Sequence, residues 1–151
     1  MYRIQEKECE RMKFSTKGRY ALRLMADLAS RPAGENISLK EISQNQGISL
    51  KYMEQIVTPL GRAGLVKSVR GSQGGYQLAR RPEEYTAGEI LRAVEGDLAP
   101  VHCLADEENQ CPNFSCCSTV QFWEGLNTVI RDYVDNVTLA DLQAGCAKKE
   151  K

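Results

Sequence analysis

Ser49-Leu-Lys-Tyr-Met-Glu-Gln-Ile-Val-Thr-Pro-Leu-Gly-Arg-Ala-Gly-Leu-Val-Lys-Ser-Val-Arg-Gly-Ser-Gln-Gly-Gly-Tyr-Gln-Leu78 changes its hydrophobic period within thirty residues, and that change decides the fold. Ser49 is a helix-capping type, whose side-chain oxygen accepts from an orphan N–H of the first turn. From Leu50 to Arg62, Tyr52 or Met53, Ile56, Val57 and Leu60 recur at three and four, the inner face of a helix. Gly64–Val69 then reads as a strand and Tyr76–Ala79 as its partner. Between them Arg70-Gly-Ser-Gln-Gly-Gly75 is a flexible, cationic hairpin tip.

Upstream, Ser38-Leu-Lys-Glu41 is a capping box opening a short helix through Ile42 to Gln46. Gly47 ends it and Ile48 is suited to burial. Two short helices joined by a tight Gly-containing turn and followed by a hairpin predict a winged helix-turn-helix that binds double-stranded DNA. Ser49, Lys51, Tyr52, Glu54 and Gln55 of the second helix are assigned to DNA, with Ser38 and Lys40 from the first. The wing adds Arg70, Gly71, Gln73, Gly74 and Tyr76; its glycines let backbone approach a groove, and Arg70 can enter a narrow minor groove or grip phosphate. A Gly-rich tip can also cradle a nucleotide, but no P-loop Lys-Ser/Thr follows and no helix opens there.

Charge agrees with that reading. The 151 residues carry no net charge, yet residues 1–82 hold 15 Lys/Arg against 7 Asp/Glu, a net +8. Residues 83–151 hold 5 against 13, a net −8. Such polarity points to a polyanion-binding half joined to something else. The first residues have no apolar run and no stretch approaches eighteen apolar residues, so neither a signal peptide nor a membrane span is expected. A cytoplasmic protein is the expectation. No catalytic triad or nucleotide motif is present, so an enzyme is not expected.

Ahead of the helix pair, Ser15 or Thr16 can cap a helix through Ala21, Leu22, Leu24, Met25 and Leu28 to about Ser30. Thr16, Lys17 and Arg19 lie at its start, where helix-terminal N–H groups and cations together can hold a phosphate; two solvated charges are the plainer alternative. Residues 1–11, with Cys9, form a charged flexible leader, and Met12 is an alternative start.

Beyond the wing, Pro82 breaks the chain and Thr86-Ala-Gly-Glu89 caps a helix Gly88–Val94 that ends at Gly96. Cys103, Cys111, Cys116 and Cys117 then fall within fifteen residues on a polar, aperiodic loop. Thiolates so placed suit zinc or an iron–sulfur cluster; structural disulfides and small buried side chains are the alternatives. From Ser118 a long helix begins, and Val120, Trp123, Leu126, Ile130, Tyr133, Val134 and Val137 recur every three or four residues, widened by Phe122 and Val129. The strip is about 27 Å long. It exceeds what one flank of a small domain needs, so a symmetric homodimer is expected through Trp123, Leu126, Ile130, Tyr133, Val134 and Val137; packing back on its own domain is the alternative. Thr138-Leu-Ala-Asp141 caps a last helix ending near Gly145, before a disordered tail.

Phe14-Ser-Thr-Lys-Gly-Arg-Tyr-Ala-Leu22, Ile48-Ser-Leu-Lys-Tyr-Met-Glu-Gln55, Val69-Arg-Gly-Ser-Gln-Gly-Gly-Tyr-Gln-Leu78 and the cysteine loop before Trp123 together resemble the Rrf-type family of bacterial regulators, and its IscR branch in particular. The resemblance covers roughly residues 12–143, with its motifs in the family's order. It implies a mainly α fold with a small β-wing: a winged helix-turn-helix DNA-binding domain (12–82), a linker helix and cluster-binding loop (83–117), a dimerisation helix with a C-terminal helix (118–145), and leader and tail at 1–11 and 146–151. In the IscR branch three loop cysteines bind an iron–sulfur cluster, the third lying six residues before the Trp. That implies Cys103, Cys111 and Cys117 as ligands here. The branch's fourth ligand, a histidine, is replaced by Val120; Cys116, His102 or a carboxylate such as Glu107 then stands as the candidate fourth. A 2Fe–2S cluster is preferred to 4Fe–4S, with zinc as the alternative. The branch's recognition-helix glutamate, at the position of Glu54, helps select among DNA sites; a carboxylate can accept from cytosine N4, and Gln55 can read adenine bidentately.

The resemblance thus implies a homodimeric regulator on a palindromic operator, sensing its cluster, repressing iron–sulfur assembly genes and receiving its cluster from the assembly machinery. The alternative within the family is a cluster-free zinc, thiol-redox or cysteine-metabolism regulator. From another class, an iron–sulfur carrier or small redox protein would show no salt-sensitive DNA affinity.

Overall fold

The computed structural model of this chain describes residues 14–105 and 111–147. The expectations for the leader with Cys9, for Glu107 and for the tail beyond 147 lie outside the described residues. In order come α1 (Thr16–Ala29), α2 (Leu39–Gln46), α3 (Leu50–Arg62), β1 (Val66–Val69), β2 (Gly75–Leu78), α4 (Ala87–Glu95), α5 (Val120–Asn136) and α6 (Leu139–Ala147). The fold is mainly α with a small β-wing. Single 3-10 turns sit at Pro82–Glu84, His102–Leu104 and Phe114–Cys116, so the cysteine loop is less irregular than its composition suggests.

Hydroxyl caps set the starts of α1, α2, α3 and α4. Ser15, Ser38, Ser49 and Thr86 accept the backbone N–H three residues on, from Gly18, Glu41, Tyr52 and Glu89 at 3.4, 3.2, 3.2 and 3.1 Å. Each such cap is worth about 1 kcal/mol. Gly47 closes α2 in the left-handed conformation, with φ 67°.

The core is centred on α1, which packs against α2, α3, α4 and α6. Leu24 and Met25 of α1, Met53 and Ile56 of α3, Ile90 of α4 and Leu139 of α6 are all fully buried. The core of the DNA-binding half therefore draws on helices from beyond residue 82.

The first strand is two residues shorter than the apolar pattern suggested, and the second keeps its length but starts one residue earlier, at Gly75. After α3 the backbone is still turning: Gly64 (φ 72°) donates to Gly61 and Leu65 to Leu60, both at 3.0 Å. Pairing begins only at Val66 opposite Leu78 and ends at Val69 opposite Gly75. The hairpin is fastened to Ile37, the residue before the Ser38 cap of α2, by paired bonds, Ile37 N–H to Tyr76 carbonyl (3.0 Å) and the reverse (2.8 Å). Any Cβ on Gly75 would overlap the Ile37 carbonyl, which is why glycine stands there.

Tyr85 is the core group that the sequence pattern did not reveal. Fully buried, it donates its hydroxyl to the Leu65 carbonyl (2.7 Å) and accepts the Arg80 N–H (2.8 Å). It ties the end of α3 to the segment after the wing.

α5 begins at Val120, two residues later than the apolar pattern suggested, and is anchored through its C-terminal end. Ala87 donates to the Val137 carbonyl at 2.8 Å. Arg92 grips Asp135 with two bonds, at 2.6 and 3.0 Å. Thr138 and Asp141 form the reciprocal cap expected for α6.

Candidate nucleic-acid interface and the cysteine loop

An open groove of about 520 Å³ runs between the start of α1 and the outer face of α3, lined by Lys17, Lys51, Glu54, Gln55, Thr58, Pro59 and Arg62. It exists because α3 is two-sided. Met53, Ile56, Val57 and Leu60 are buried, while Lys51, Glu54, Gln55, Thr58 and Arg62 are exposed. Lys51, Gln55, Thr58 and Arg62, spaced four, three and four, form one helical stripe. The structure thus brings together four residues assigned to DNA, Lys17, Lys51, Glu54 and Gln55, and adds Thr58 and Arg62. The sequence carried the signal for both, since Thr58 and Arg62 continue the helical spacing of Lys51 and Gln55. Three cationic side chains around one carboxylate suit a phosphate backbone, and Glu54 and Gln55 offer base-reading groups.

Other assigned residues have structural duties. The hydroxyls of Ser38 and Ser49 accept within their caps. Tyr52 is half-buried, its ring edge-on to Tyr20 with centroids 6.1 Å apart. Tyr76 is half-buried and bonded through its backbone to Ile37. Arg70, Gly71 and Gln73 are exposed at the wing tip, and the Gln73 carbonyl accepts from Asn36 (3.2 Å). Gly74 has no room for a Cβ against the Val69 carbonyl. Thr16, Arg19 and Lys40 are exposed.

The start of α1 differs from the expectation of a vacant phosphate site. Glu95, the last residue of α4, places Oε1 there and accepts from Ser15 N–H (2.9 Å), Ser15 hydroxyl (2.6 Å) and Gly18 N–H (3.0 Å). The helix terminus already holds an internal anion, which its dipole favours. Charge counting treats such a glutamate as a solvated group, so the sequence offered no sign of it.

Cys103 lies on the 3-10 turn after α4, Cys116 on the turn before α5, and Cys117 immediately after it. Cys103, Cys116 and Cys117 carry free thiols, and Cys103 and Cys111 are half-buried. The Thr119 hydroxyl, 3.5 Å from the Cys117 sulfur, holds that thiol below its ordinary pKa, helped by the Thr119 and Val120 N–H groups. Cys116 donates to the Asn113 carbonyl (3.5 Å). The donor chemistry fits a soft metal or cluster. The arrangement does not gather it: among the described residues no three His, Cys, Asp or Glu side chains converge as a ligand set. His102 is exposed beside Cys103, and Val120 is half-buried at the start of α5.

The strip on α5 divides. Phe122, Val129 and Tyr133 are 64, 64 and 71% exposed, whereas Trp123, Leu126, Ile130 and Val137 are half-buried. Val134 turns into its own chain, against Gly88 of α4. No helix among the described residues is long and apolar enough to cross a membrane.

A family profile described as Rrf2, iron-dependent transcriptional regulator, matches residues 14–145. The chain belongs to the Rrf2 family. It is 43% identical over 131 residues to the HTH-type transcriptional regulator CymR of Bacillus subtilis, spanning 87% of this chain and 89% of that one. It is 38% identical over 131 residues to the HTH-type transcriptional regulator IscR of Aliivibrio salmonicida, spanning 87 and 77%. The solved structure of T. potens IscR superposes with a TM-score of 0.73 at 37% identity, covering 92% of this chain and 91% of that one. This Rrf2 protein is therefore a DNA-binding transcriptional regulator with a winged-helix fold, and its relatives are regulators, not enzymes.

Proposed function

We propose that this Rrf2 protein is a homodimeric regulator that binds a palindromic operator and answers to the state of its cysteine loop. The observation that carries the reading is the loop's position, suspended between α4, which packs on α1 of the DNA-binding half, and α5, which displays Phe122, Val129 and Tyr133. A second copy covering that face would set two recognition helices on one side of a duplex, and two-fold symmetry calls for a palindrome. The net charge of the DNA-binding half supports steering to a polyanion.

In this reading Cys103, Cys111 and Cys117 would hold an iron–sulfur cluster, 2Fe–2S in preference to 4Fe–4S, with Cys116 or His102 as fourth ligand and the assembly machinery as donor. When bound, the cluster would supply a redox-active, oxygen-sensitive centre. The chain's own part is to convert loop geometry into helix placement. A ligand can shift the equilibrium only by its differential affinity for two states, so the two loop states must prefer different DNA. Iron–sulfur assembly genes would be the repressed targets, and a cytoplasmic location accompanies that role.

A second reading, a zinc or thiol-redox regulator of cysteine metabolism, draws support from two observations. Among the described residues no three His, Cys, Asp or Glu side chains converge as a ligand set, and Cys116 and Cys117 are adjacent and exposed. The deciding experiment is anaerobic purification followed by an absorption spectrum, iron, sulfide and zinc content, and DNA binding on the same sample. Visible absorbance with near-equal iron and sulfide, lost in Cys103→Ala, Cys111→Ala or Cys117→Ala, supports the cluster reading. A colourless, iron-free protein that binds DNA and loses affinity on thiol oxidation supports the second.

A further inference from the structure

Glu95 belongs to neither the groove nor the cysteine loop, yet it touches the foundations of both. Its single oxygen Oε1 accepts three hydrogen bonds from Ser15 and Gly18, eighty and seventy-seven residues away in sequence. Gly18 is buried in the first turn of α1, where alanine would favour the helix more than glycine does. The reason for it is local: a Cβ at Gly18 would overlap the Glu95 carboxylate. Between Ser15 and Gly18 lies Lys17, which lines the groove with Lys51, Glu54 and Gln55. The carboxylate therefore grips the backbone from which Lys17 projects. On its other side Glu95 is the last residue of α4. Gly96, with φ 81°, ends the helix, and five residues without regular structure lead on to His102 and Cys103.

We propose that Glu95 is a positioning residue for DNA binding, fixing the first turn of α1 so that Lys17 meets the phosphate backbone, and that displacement of the cysteine loop reaches the DNA groove through it. The first part rests on the groove alone; the second rests also on the reading of the loop as the responsive element. Ionic contact with phosphate demands placement, since a misplaced lysine gains little from a groove it cannot follow. A grip at both Ser15 and Gly18 restricts the turn in angle as well as in position.

The test uses the full chain and a duplex selected by it from a random pool, with affinity read by fluorescence anisotropy. Glu95→Ala and Gly18→Ala should each weaken binding by about five- to tenfold, and their effects should not add, because both undo one contact. Gly18→Ala raises helix propensity, and the oxygen it meets is the far end of a flexible side chain, so it keeps the fold while dislodging the carboxylate. In a Lys17→Ala background, Glu95→Ala should cost less than about twofold, an outcome that a merely structural role would not give. Equal losses with and without Lys17, or tighter binding by Glu95→Ala as phosphate takes the released N–H groups, would overturn the positioning role.

For the second part, Cys9→Ser and Cys146→Ser are introduced so that iodoacetamide labels the loop alone. Alkylation should change DNA affinity in that chain and leave it nearly unchanged once Glu95→Ala is added. If alkylation has no effect even with Glu95 present, the responsive-loop reading fails and the transmission claim with it, while the Lys17 cycle still decides the positioning role. If alkylation acts equally with and without Glu95, transmission through Glu95 is wrong and the loop reading stands.

Discussion

Arg92 on α4 and Asp135 on α5 meet in a two-pronged ion pair, at 2.6 and 3.0 Å, across the joint where the exposed helix leaves the DNA-binding half. Both side chains are about two-fifths exposed, so solvent screens the pair, and its worth falls within about 0.2–1 kcal/mol. The two-pronged geometry limits how α5 can rotate against α4. The Arg92 hydrogen bond holds the Asp135 carboxyl below the ordinary carboxylate range. A lowered folded-state pKa gives stability that is fully present above about pH 4 and is lost as pH falls through the lowered value. Asp135→Asn should therefore cost up to about 1 kcal/mol in urea denaturation at pH 6. That deficit should close as pH falls below about 4 and the lowered carboxylate of the parent chain protonates.

Arg62 extends the groove about two turns beyond the lysine and glutamine pair on α3. Arg62→Ala and Lys51→Ala should each weaken DNA binding and reduce the slope of log affinity against log salt by about 1. Glu54→Ala should instead leave that slope nearly unchanged and relax the preferred sequence. An Arg62→Ala protein with the parent's salt slope would remove Arg62 from the interface.

Tyr133 is 71% exposed on a helix whose neighbouring apolar groups, Phe122 and Val129, are 64% exposed each. If a second copy covers them, Tyr133→Glu should shift sedimentation toward monomer and lower operator affinity, with thermal unfolding of the monomer little changed. A parent chain that sediments as a monomer at all concentrations would end the dimer proposal.

Tyr85→Phe should destabilise the chain by about 1–2 kcal/mol, because the hydroxyl serves a buried carbonyl and a backbone N–H that the ring alone cannot satisfy. The Leu65 carbonyl retains the Ala79 N–H, at 3.3 Å, which tempers the loss. Urea denaturation measures it, and an unchanged midpoint would show that water replaces the hydroxyl at both groups.

Sequence alone determined what is local. Ser38, Ser49 and Thr86, and Ser15 as one of two candidates with Thr16, marked helix starts because a hydroxyl capping the N–H three residues on needs nothing from the rest of the chain. The period of Met53, Ile56, Val57 and Leu60 fixed the buried face of α3, and so its opposite face and most of the groove. The wing was legible from its glycines, though its first strand began late because Gly64 and Leu65 were spent closing α3.

Only the tertiary structure decided what spans long separations. Glu95 at the start of α1, Tyr85 beneath the Leu65 carbonyl and Val134 against Gly88 join residues that no period or spacing relates. A carboxylate, a phenol and a valine are ambiguous in a string. Their roles are settled only when packing brings a specific donor, carbonyl or missing Cβ within reach.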